Sequence, residues 1–305
     1  MSSPRIFGAA GVPPWSMAVA AMLCVQLGSA LSVDLISSIG PAGTAWLRLS
    51  MGALIFLALV RPPLRTIRKR DVLPLIGLGV TTGLMTIAFL AAIERIPLGT
   101  AVAIDFLGPL TVAALRSGHV RMLAWPALAL SGVVVLTEPW HGEVNLAGVA
   151  FAGLAAVGWG VYILLTQTIG DRFEGIGSLS ITIPIAAAAA AVIGIPQAAG
   201  HLSWSILAAA AGLALLLPVL PFALELLALR RMTSLAFGTL MALEPTMGVL
   251  LGVVVLHQFI SPLQIAGILL VVIAGAAAQR GATRSPQPEP FAGPALVAVQ
   301  PGPQP

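Results

Sequence analysis

Two carboxylic acids lie inside long apolar stretches of the sequence and are its clearest candidates for chemistry. Asp105 lies in IPLGTAVAIDFLGPL and Glu244 in LAFGTLMALEP, each near the middle of an apolar run long enough to cross a bilayer. A charged side chain at the centre of a membrane costs roughly 2.5–3.5 kcal/mol on insertion scales, so an acid there is retained for a reason. Such an acid either carries a proton between the two sides or is a structural group hydrogen-bonded to a neighbouring helix. We predict that at least one of the two carries a proton.

Further polar and aromatic side chains within the apolar runs are candidates for lining a path through the membrane. Arg48 lies seven residues into its run. It either extends to the lipid headgroups, holds a substrate carboxylate or neutralises one of the acids. Gln26, Trp159, Tyr162 and Gln167 either line the same cavity or pack between helices. With the two acids, these five residues form the predicted substrate and proton pathway.

Two prolines, Pro109 and Pro245, fall inside the same apolar runs as the two acids. A proline within a helix removes one backbone hydrogen bond and bends the helix. In a membrane protein the freed carbonyl groups can line a cavity, or the bend can serve only to shape the bundle. We predict a helix kink at each proline and leave its role open.

Several kinds of site are missing from the sequence. The single cysteine, Cys24, allows no intramolecular disulfide and no cysteine-cluster metal site. There is no G-x-x-x-x-G-K-[ST] motif, and the only lysine, Lys69, lies in RKRD, so ATP is not bound by a P-loop. Glu225 lies near the end of its run, where an ion pair with Arg230 is expected. The four histidines are scattered over loops and run ends and predict no metal site: His119, His141, His201 and His257.

The composition identifies the elements that position these residues. Of the 305 residues, 58% are hydrophobic and only 9% are charged, against roughly 25% charged in a soluble domain. With a mean hydropathy of +1.01, this balance argues against a soluble enzyme, a disordered chain and a nucleic-acid-binding protein. Ten apolar runs can span a bilayer as helices: 15–35, 42–60, 72–93, 97–115, 122–137, 145–168, 176–196, 204–228, 234–256 and 262–279. We therefore predict an all-α integral membrane protein with ten transmembrane helices and short loops.

Basic residues mark one side of the predicted bundle. All but two of the 15 Lys and Arg residues fall on the side of the two termini, the exceptions being Arg48 and Arg95. Since Lys and Arg are enriched in cytoplasmic segments, both termini are predicted to be cytoplasmic. These termini are an N-terminal tail, residues 1–14, and a proline-rich tail, residues 280–305, which is predicted to be disordered.

An internal repeat relates two parts of the chain. The stretch 93–115 aligns without a gap on 229–251, at an offset of 136 residues. Asp105 then meets Met241, three residues before Glu244, so the two acids lie on related helix faces about one turn apart.

The repeat divides the predicted bundle into two halves, 15–137 and 145–279, with five helices each. Because five is odd, the second half enters the membrane from the opposite side. Two inverted repeats are the construction of many secondary transporters, in which the substrate binds near the midplane between the halves.

The chain resembles the ten-helix EamA-type transporters of the drug/metabolite transporter superfamily, and among them most resembles the bacterial threonine/homoserine exporters. The resemblance extends over residues 15–279. It is carried by TAWLRL at 44–49, IPLGTAVAIDFLGPL at 96–110, GWGVYILLTQ at 158–167 and LAFGTLMALEP at 235–245. It implies efflux of amino acids across the bacterial cytoplasmic membrane.

Without a site for ATP, the expected mechanism is secondary transport. We predict proton-coupled export by rocking of the two halves, with a small amino acid, protons and the lipid bilayer as partners and without a cofactor. The alternative is efflux of drugs or other metabolites, because one fold supports many substrates. Two other classes fit less well: an intramembrane enzyme needs a nucleophile, dyad or metal motif that is not found in the runs, and a scaffold predicts that the acids tolerate replacement.

Overall fold

The protein is built from helices throughout the part of the chain that the structure describes. A computed structural model describes residues 13–60, 67–117, 119–140, 144–169, 176–229, 231–232 and 234–281. The α-helices are α1 Pro14–Leu59, α2 Lys69–Ile93, α3 Leu98–Asp105, α4 Leu107–Arg116, α5 Ala124–Thr137, α6 Leu146–Ile169, α7 Ile176–Ala198, α8 Trp204–Ala214, α9 Leu220–Leu229, α10 Ser234–Met241, α11 Glu244–Val254 and α12 Pro262–Gly281. Most of the predicted tails, 1–14 and 280–305, lies outside the described residues.

Nine helical segments of the described residues are long and apolar enough to cross a bilayer. Eight of them match predicted apolar runs to within three residues at either end. The ninth is the long helix α1, which contains both of the first two runs. With no strand in the described ranges, the prediction of an all-helical integral membrane protein is confirmed.

Helix α1 is 46 residues long and folds back on itself. Helical geometry is interrupted at Gly40, whose φ of 72° and ψ of 168° are accessible essentially only to glycine. The Nη1 of Arg48 lies 3.2 Å from the Oγ of Ser32, whereas the 16 positions between them would span about 24 Å of straight helix. The first arm, 14–39, and the second arm, 41–59, are therefore antiparallel. They occupy the places of the first two predicted runs.

Two of the predicted membrane helices are each broken into two shorter ones. The run 97–115 is broken at Phe106, between α3 and α4, and the run 234–256 is broken after α10, before Glu244. Helices α3 and α10 have eight residues each. Their first residues, like their last residues, are separated by the offset of 136 found in the sequence repeat. Each of the two runs nevertheless remains one membrane-spanning segment, Leu98–Arg116 and Ala236–Val254.

The prolines account for the position of the breaks. Pro109 and Pro245 lie in the first turn of the helices that follow, α4 and α11. Proline is tolerated in a first turn, because the N–H that it lacks has no helical partner there, but it is disfavoured in a helix interior. The predicted kinks are thus interruptions that come before each proline.

The eighth predicted run is also interrupted, between α8 and α9 at Leu215–Val219. Leu217 has an extended backbone, with φ −159° and ψ 110°, because the ring of a proline disfavours helical geometry in the residue before it. A Cβ placed on Gly28 would lie 3.3 Å from the Cβ of Leu217, and one on Gly52 would lie 3.2 Å from the Cδ of Pro218. The interruption therefore packs against both arms of α1.

Small residues let the broken helices approach their neighbours closely. A Cβ on Gly108 would collide with the carbonyl oxygen of Ala156 in α6, and one on Gly248 in α11 would lie 2.9 Å from the Cγ2 of Val102 in α3. Close approach at small residues is the usual way in which membrane helices pack. Helix α3 is thereby enclosed between α6 and α11, and it carries its terminal acid into the protein interior.

Candidate functional site

Gln26 and Glu244 form a buried hydrogen-bonded pair between the first arm of α1 and α11. Gln26 is 1% exposed and Glu244, the first residue of α11, is 6% exposed. The Nε2 of Gln26 donates to the Oε1 of Glu244 at 3.3 Å. One turn along α11, a Cβ on Gly248 would lie 3.5 Å from the Oε1 of Gln26. A glycine there leaves room for the amide beside the carboxyl group.

Asp105, the last residue of α3, joins this pair. Its carboxyl group lies within electrostatic range of that of Glu244. The Oδ1 of Asp105, the Oε2 of Glu244 and the Oε1 of Gln26 are all buried without a hydrogen-bond partner among the described residues. Buried polar atoms are nearly always paired, and each unpaired one costs about 1–3 kcal/mol. We call these three residues the acid centre, and its free oxygens can accept a proton or a cationic group.

The broken helices give the two acids different electrostatic surroundings. Glu244 begins α11, where the helix dipole stabilises a negative charge. Asp105 ends α3 and directly precedes Phe106, the N-cap of α4, so it lies at the junction of two helices. The backbone carbonyl of Asp105 also lacks its usual helical donor, because Pro109 four residues later has no N–H. The acid centre thus combines acceptors from carboxyl groups, an amide and an interrupted backbone.

A third acid, Glu225 in α9, lies within electrostatic range of both Glu244 and Tyr162. Glu225 and Tyr162 are half-buried. The predicted partner of Glu225, Arg230, lies outside the described residues. Sequence reasoning assigned Glu225 to the membrane interface from its position along one helix, and no sequence signal reports its approach to Glu244. Tyr162, by contrast, was predicted for the pathway.

Arg48 lies in the second arm of α1 and is turned into the protein. It is only 4% exposed, so its side chain does not extend to the lipid headgroups. Its Nη1 donates to the Oγ of Ser32 at 3.2 Å, and Ser32 donates in turn to the carbonyl oxygen of Gly28 at 2.6 Å. Within the described ranges no carboxylate pairs with Arg48, so it does not neutralise either acid.

Two other predicted pathway residues lie apart from the acids. Gln167, near the end of α6, is exposed, and its Oε1 accepts a hydrogen bond from Nη1 of Arg116. It therefore does not line a cavity with the acid centre. Trp159 is half-buried and packs against the main apolar cluster, which includes Leu90 and Ile104.

Two glutamines that were not predicted for the site cap helices contributed by distant parts of the chain. The Oε1 of Gln197 accepts hydrogen bonds from the N–H groups of Ala42 at 2.7 Å and Gly43 at 3.0 Å. The Oε1 of Gln258 accepts one from the N–H of Leu98 at 3.2 Å. All three N–H groups lie in first helical turns, which lack internal partners. The partners are 154–160 positions apart, so no local motif indicates them.

Clefts and metal-binding groups do not add to the acid centre. A cleft of about 420 Å³ lies between the first arm of α1 and α8, lined by Asp34, Ser38 and Ser205 among apolar residues. It includes no residue of the acid centre. In the part of the chain that the structure describes, no three His, Cys, Asp or Glu residues are arranged to hold a metal ion.

Comparison with known proteins identifies the family. Residues 146–277 match the model of the EamA-like transporter family. The threonine/homoserine exporter RhtA of Salmonella typhimurium (strain LT2) is 34% identical over 270 residues, which cover 88% of this chain and 91% of that protein. The chain belongs to the EamA-like transporter family. RhtA of Escherichia coli (strain K12) is likewise 34% identical, over 86% of this EamA-like chain and 89% of that protein.

This membership and a solved structure agree with the helical fold. A crystal structure aligns with a TM-score of 0.60 at 20% identity and covers 87% of this chain and 98% of that one. This likeness shows the fold alone. As a member of the EamA-like family, the chain is a transporter rather than an enzyme. Its apolar helices and bacterial relatives make it a multi-pass inner-membrane protein.

Proposed function

We propose that this EamA-like transporter exports small amino acids of the threonine and homoserine type across the cytoplasmic membrane in exchange for protons. The acid centre carries the proposal, because three of its buried oxygens, from three helices, have no hydrogen-bond partner in the part of the chain that the structure describes. The substrate class is supported by the RhtA relatives, which are named as threonine/homoserine exporters.

Coupling follows from the cost of leaving the acid centre ionised and empty. An unpaired carboxylate in the interior of a membrane protein is unfavourable, whereas a protonated carboxyl group or a carboxylate paired with an ammonium group is tolerated. The transporter therefore switches between its inward-facing and outward-facing states when the acid centre holds either a proton or the ammonium group of a substrate. Protons then enter as amino acids leave, and Glu244 or Asp105 carries the proton.

The proposal includes ten membrane crossings arranged as two inverted five-helix halves, 15–137 and 145–279. The hairpin of α1 supports the tenth crossing, and the common offset of α3 and α10 supports the repeat. The family match at 146–277 has nearly the bounds of the second half. Gln26 and Asp105 come from the first half and Glu244 from the second, so rocking of the halves opens the acid centre. The distribution of Lys and Arg supports cytoplasmic termini.

Uptake into everted membrane vesicles tests the proposal. Labelled threonine and homoserine are supplied outside vesicles whose lumen has been acidified, and lumenal accumulation is measured with and without the pH gradient. We expect gradient-dependent accumulation by the wild type and its loss in Glu244→Gln, which keeps size and hydrogen bonding but removes the titrating proton. The matched control is Glu94→Gln, since Glu94 is a partly exposed acid paired with Arg95.

The outcomes separate the proposal from its alternatives. Gradient-dependent uptake that persists in Glu244→Gln, in Asp105→Asn and in the double variant eliminates the proton role of both acids. If the wild type accumulates lipophilic cations and no amino acid, drug efflux replaces amino acid export.

A further inference from the structure

Arg48 is a buried cation that forms no salt bridge with any described residue. Its guanidinium carries five N–H donors, and the Oγ of Ser32 accepts from one of them. Burial of an unpaired charge is costly, and an arginine inside a membrane protein marks a functional site. No carboxylate pairs with it among the described residues, so its charge is available to a negative group of a ligand.

We infer that Arg48, positioned by Ser32, binds the α-carboxylate of a zwitterionic substrate whose ammonium group occupies the acid centre. This inference rests on the proposed function and defines its substrate class as free α-amino acids. The planar guanidinium presents two parallel N–H groups that match the two oxygens of a carboxylate.

A buried polar track along the first arm of α1 links the two places. Gln26, Ser29 and Ser32 are each at most 1% exposed, and they follow one another at intervals of three residues, so that each is the helical neighbour of the next. Gln26 contacts Glu244 at one end of the track, and Ser32 contacts Arg48 at the other. Polar side chains buried together in an otherwise apolar bundle are what a polar substrate requires.

Ser32 is six positions beyond Gln26, an axial rise of about 9 Å, so the two ends of the track lie at different depths of the bundle. A substrate without the carboxylate leaves Arg48 unpaired and therefore binds more weakly.

The inference is tested by comparing ligands that differ only at the carboxylate. Proteoliposomes that contain the purified transporter are loaded with labelled threonine. Inhibition of threonine counterflow is then measured with unlabelled threonine and with threonine amide. We expect the wild type to bind threonine about tenfold to a hundredfold more tightly than the amide, as for a charge-assisted bond. In Arg48→Gln this preference falls to near one because threonine binding weakens while amide binding stays the same.

Variants of intermediate effect keep the test decisive. Arg48→Lys retains the charge without the fork and is expected to keep part of the preference, and Ser32→Ala, which frees the guanidinium, is expected to lower it. The matched control is Ser37→Ala, because Ser37 lies on the same arm but is exposed.

A wild-type preference that is unchanged in Arg48→Gln overturns the inference and leaves the proposed function standing. If Arg48→Gln does not fold, an unchanged preference in both Arg48→Lys and Ser32→Ala overturns it. A wild type that exchanges no amino acid refutes the proposed function itself.

Discussion

Replacement of Gly40 by alanine is predicted to destabilise the hairpin of α1. The backbone at Gly40 has φ 72° and ψ 168°, a region where a residue with a side chain is strained by about 1–3 kcal/mol. The new Cβ would also collide with the amide of Gln197. The Oε1 of that amide accepts the N–H groups of Ala42 and Gly43, and each hydrogen bond contributes about 0.5–1.5 kcal/mol. Strain and loss of both bonds together amount to about 2–6 kcal/mol.

Thermal unfolding in detergent, followed by loss of the monodisperse peak in fluorescence-detected size-exclusion chromatography, measures this effect. The matched control is Gly153→Ala in α6, where an added Cβ meets nothing within 4 Å. In the double variant Gly40→Ala/Gln197→Ala the collision is gone. Its loss of stability is therefore expected to be smaller than the sum of the losses in the two single variants. A Gly40→Ala protein as stable as Gly153→Ala refutes the hairpin geometry.

Three further predictions concern topology, packing and the second acid. A reporter fused after Arg284 is expected to report cytoplasm and one inserted at Pro139 the outside; opposite sides for the two termini would contradict the ten-crossing arrangement. Gly108→Ala is expected to separate α4 from α6 by forcing a methyl group against the carbonyl oxygen of Ala156, which lowers the melting temperature more than Gly153→Ala does. Asp105→Asn is expected to abolish proton-driven threonine uptake or to weaken the inhibition of that uptake by unlabelled threonine. Wild-type values of both quantities would show that Asp105 has no role in the acid centre.

The membrane helices were predictable because hydrophobic length is a local property of the sequence. Eight segments match the predicted runs closely, since each run needs only its own residues to satisfy the backbone in lipid. A kink was predicted at Pro109 and at Pro245, but not the residues at which α3 and α10 end. A proline indicates a disturbance, but it does not determine whether the helix bends or ends four residues earlier. That outcome depends on neighbours such as Ala156, which packs against Gly108.

The charged residues of the candidate site could be predicted from the sequence, but the contacts between them could not. Asp105 and Glu244 were identifiable because an acid in an apolar run is costly wherever its helix lies. The bond from Gln26 to Glu244 joins residues 218 positions apart, and no spacing rule predicts such a pair. The same limit applies to Glu225 and to the glutamine caps. For Arg48 the sequence left three roles open, and the direction of its side chain into the protein became visible only from its burial.

Proton movement driven by a substrate gradient tests the central claim most directly. Purified transporter is reconstituted in tight proteoliposomes that contain a pH-sensitive dye, and a threonine gradient is imposed without an initial pH difference. The account predicts that threonine leaving the lumen drives protons into it in the wild type. Glu244→Gln is expected to show no proton movement while threonine exchange persists. Threonine flux without proton movement in the wild type, or unchanged proton movement in both Glu244→Gln and Asp105→Asn, would contradict proton coupling at the acid centre.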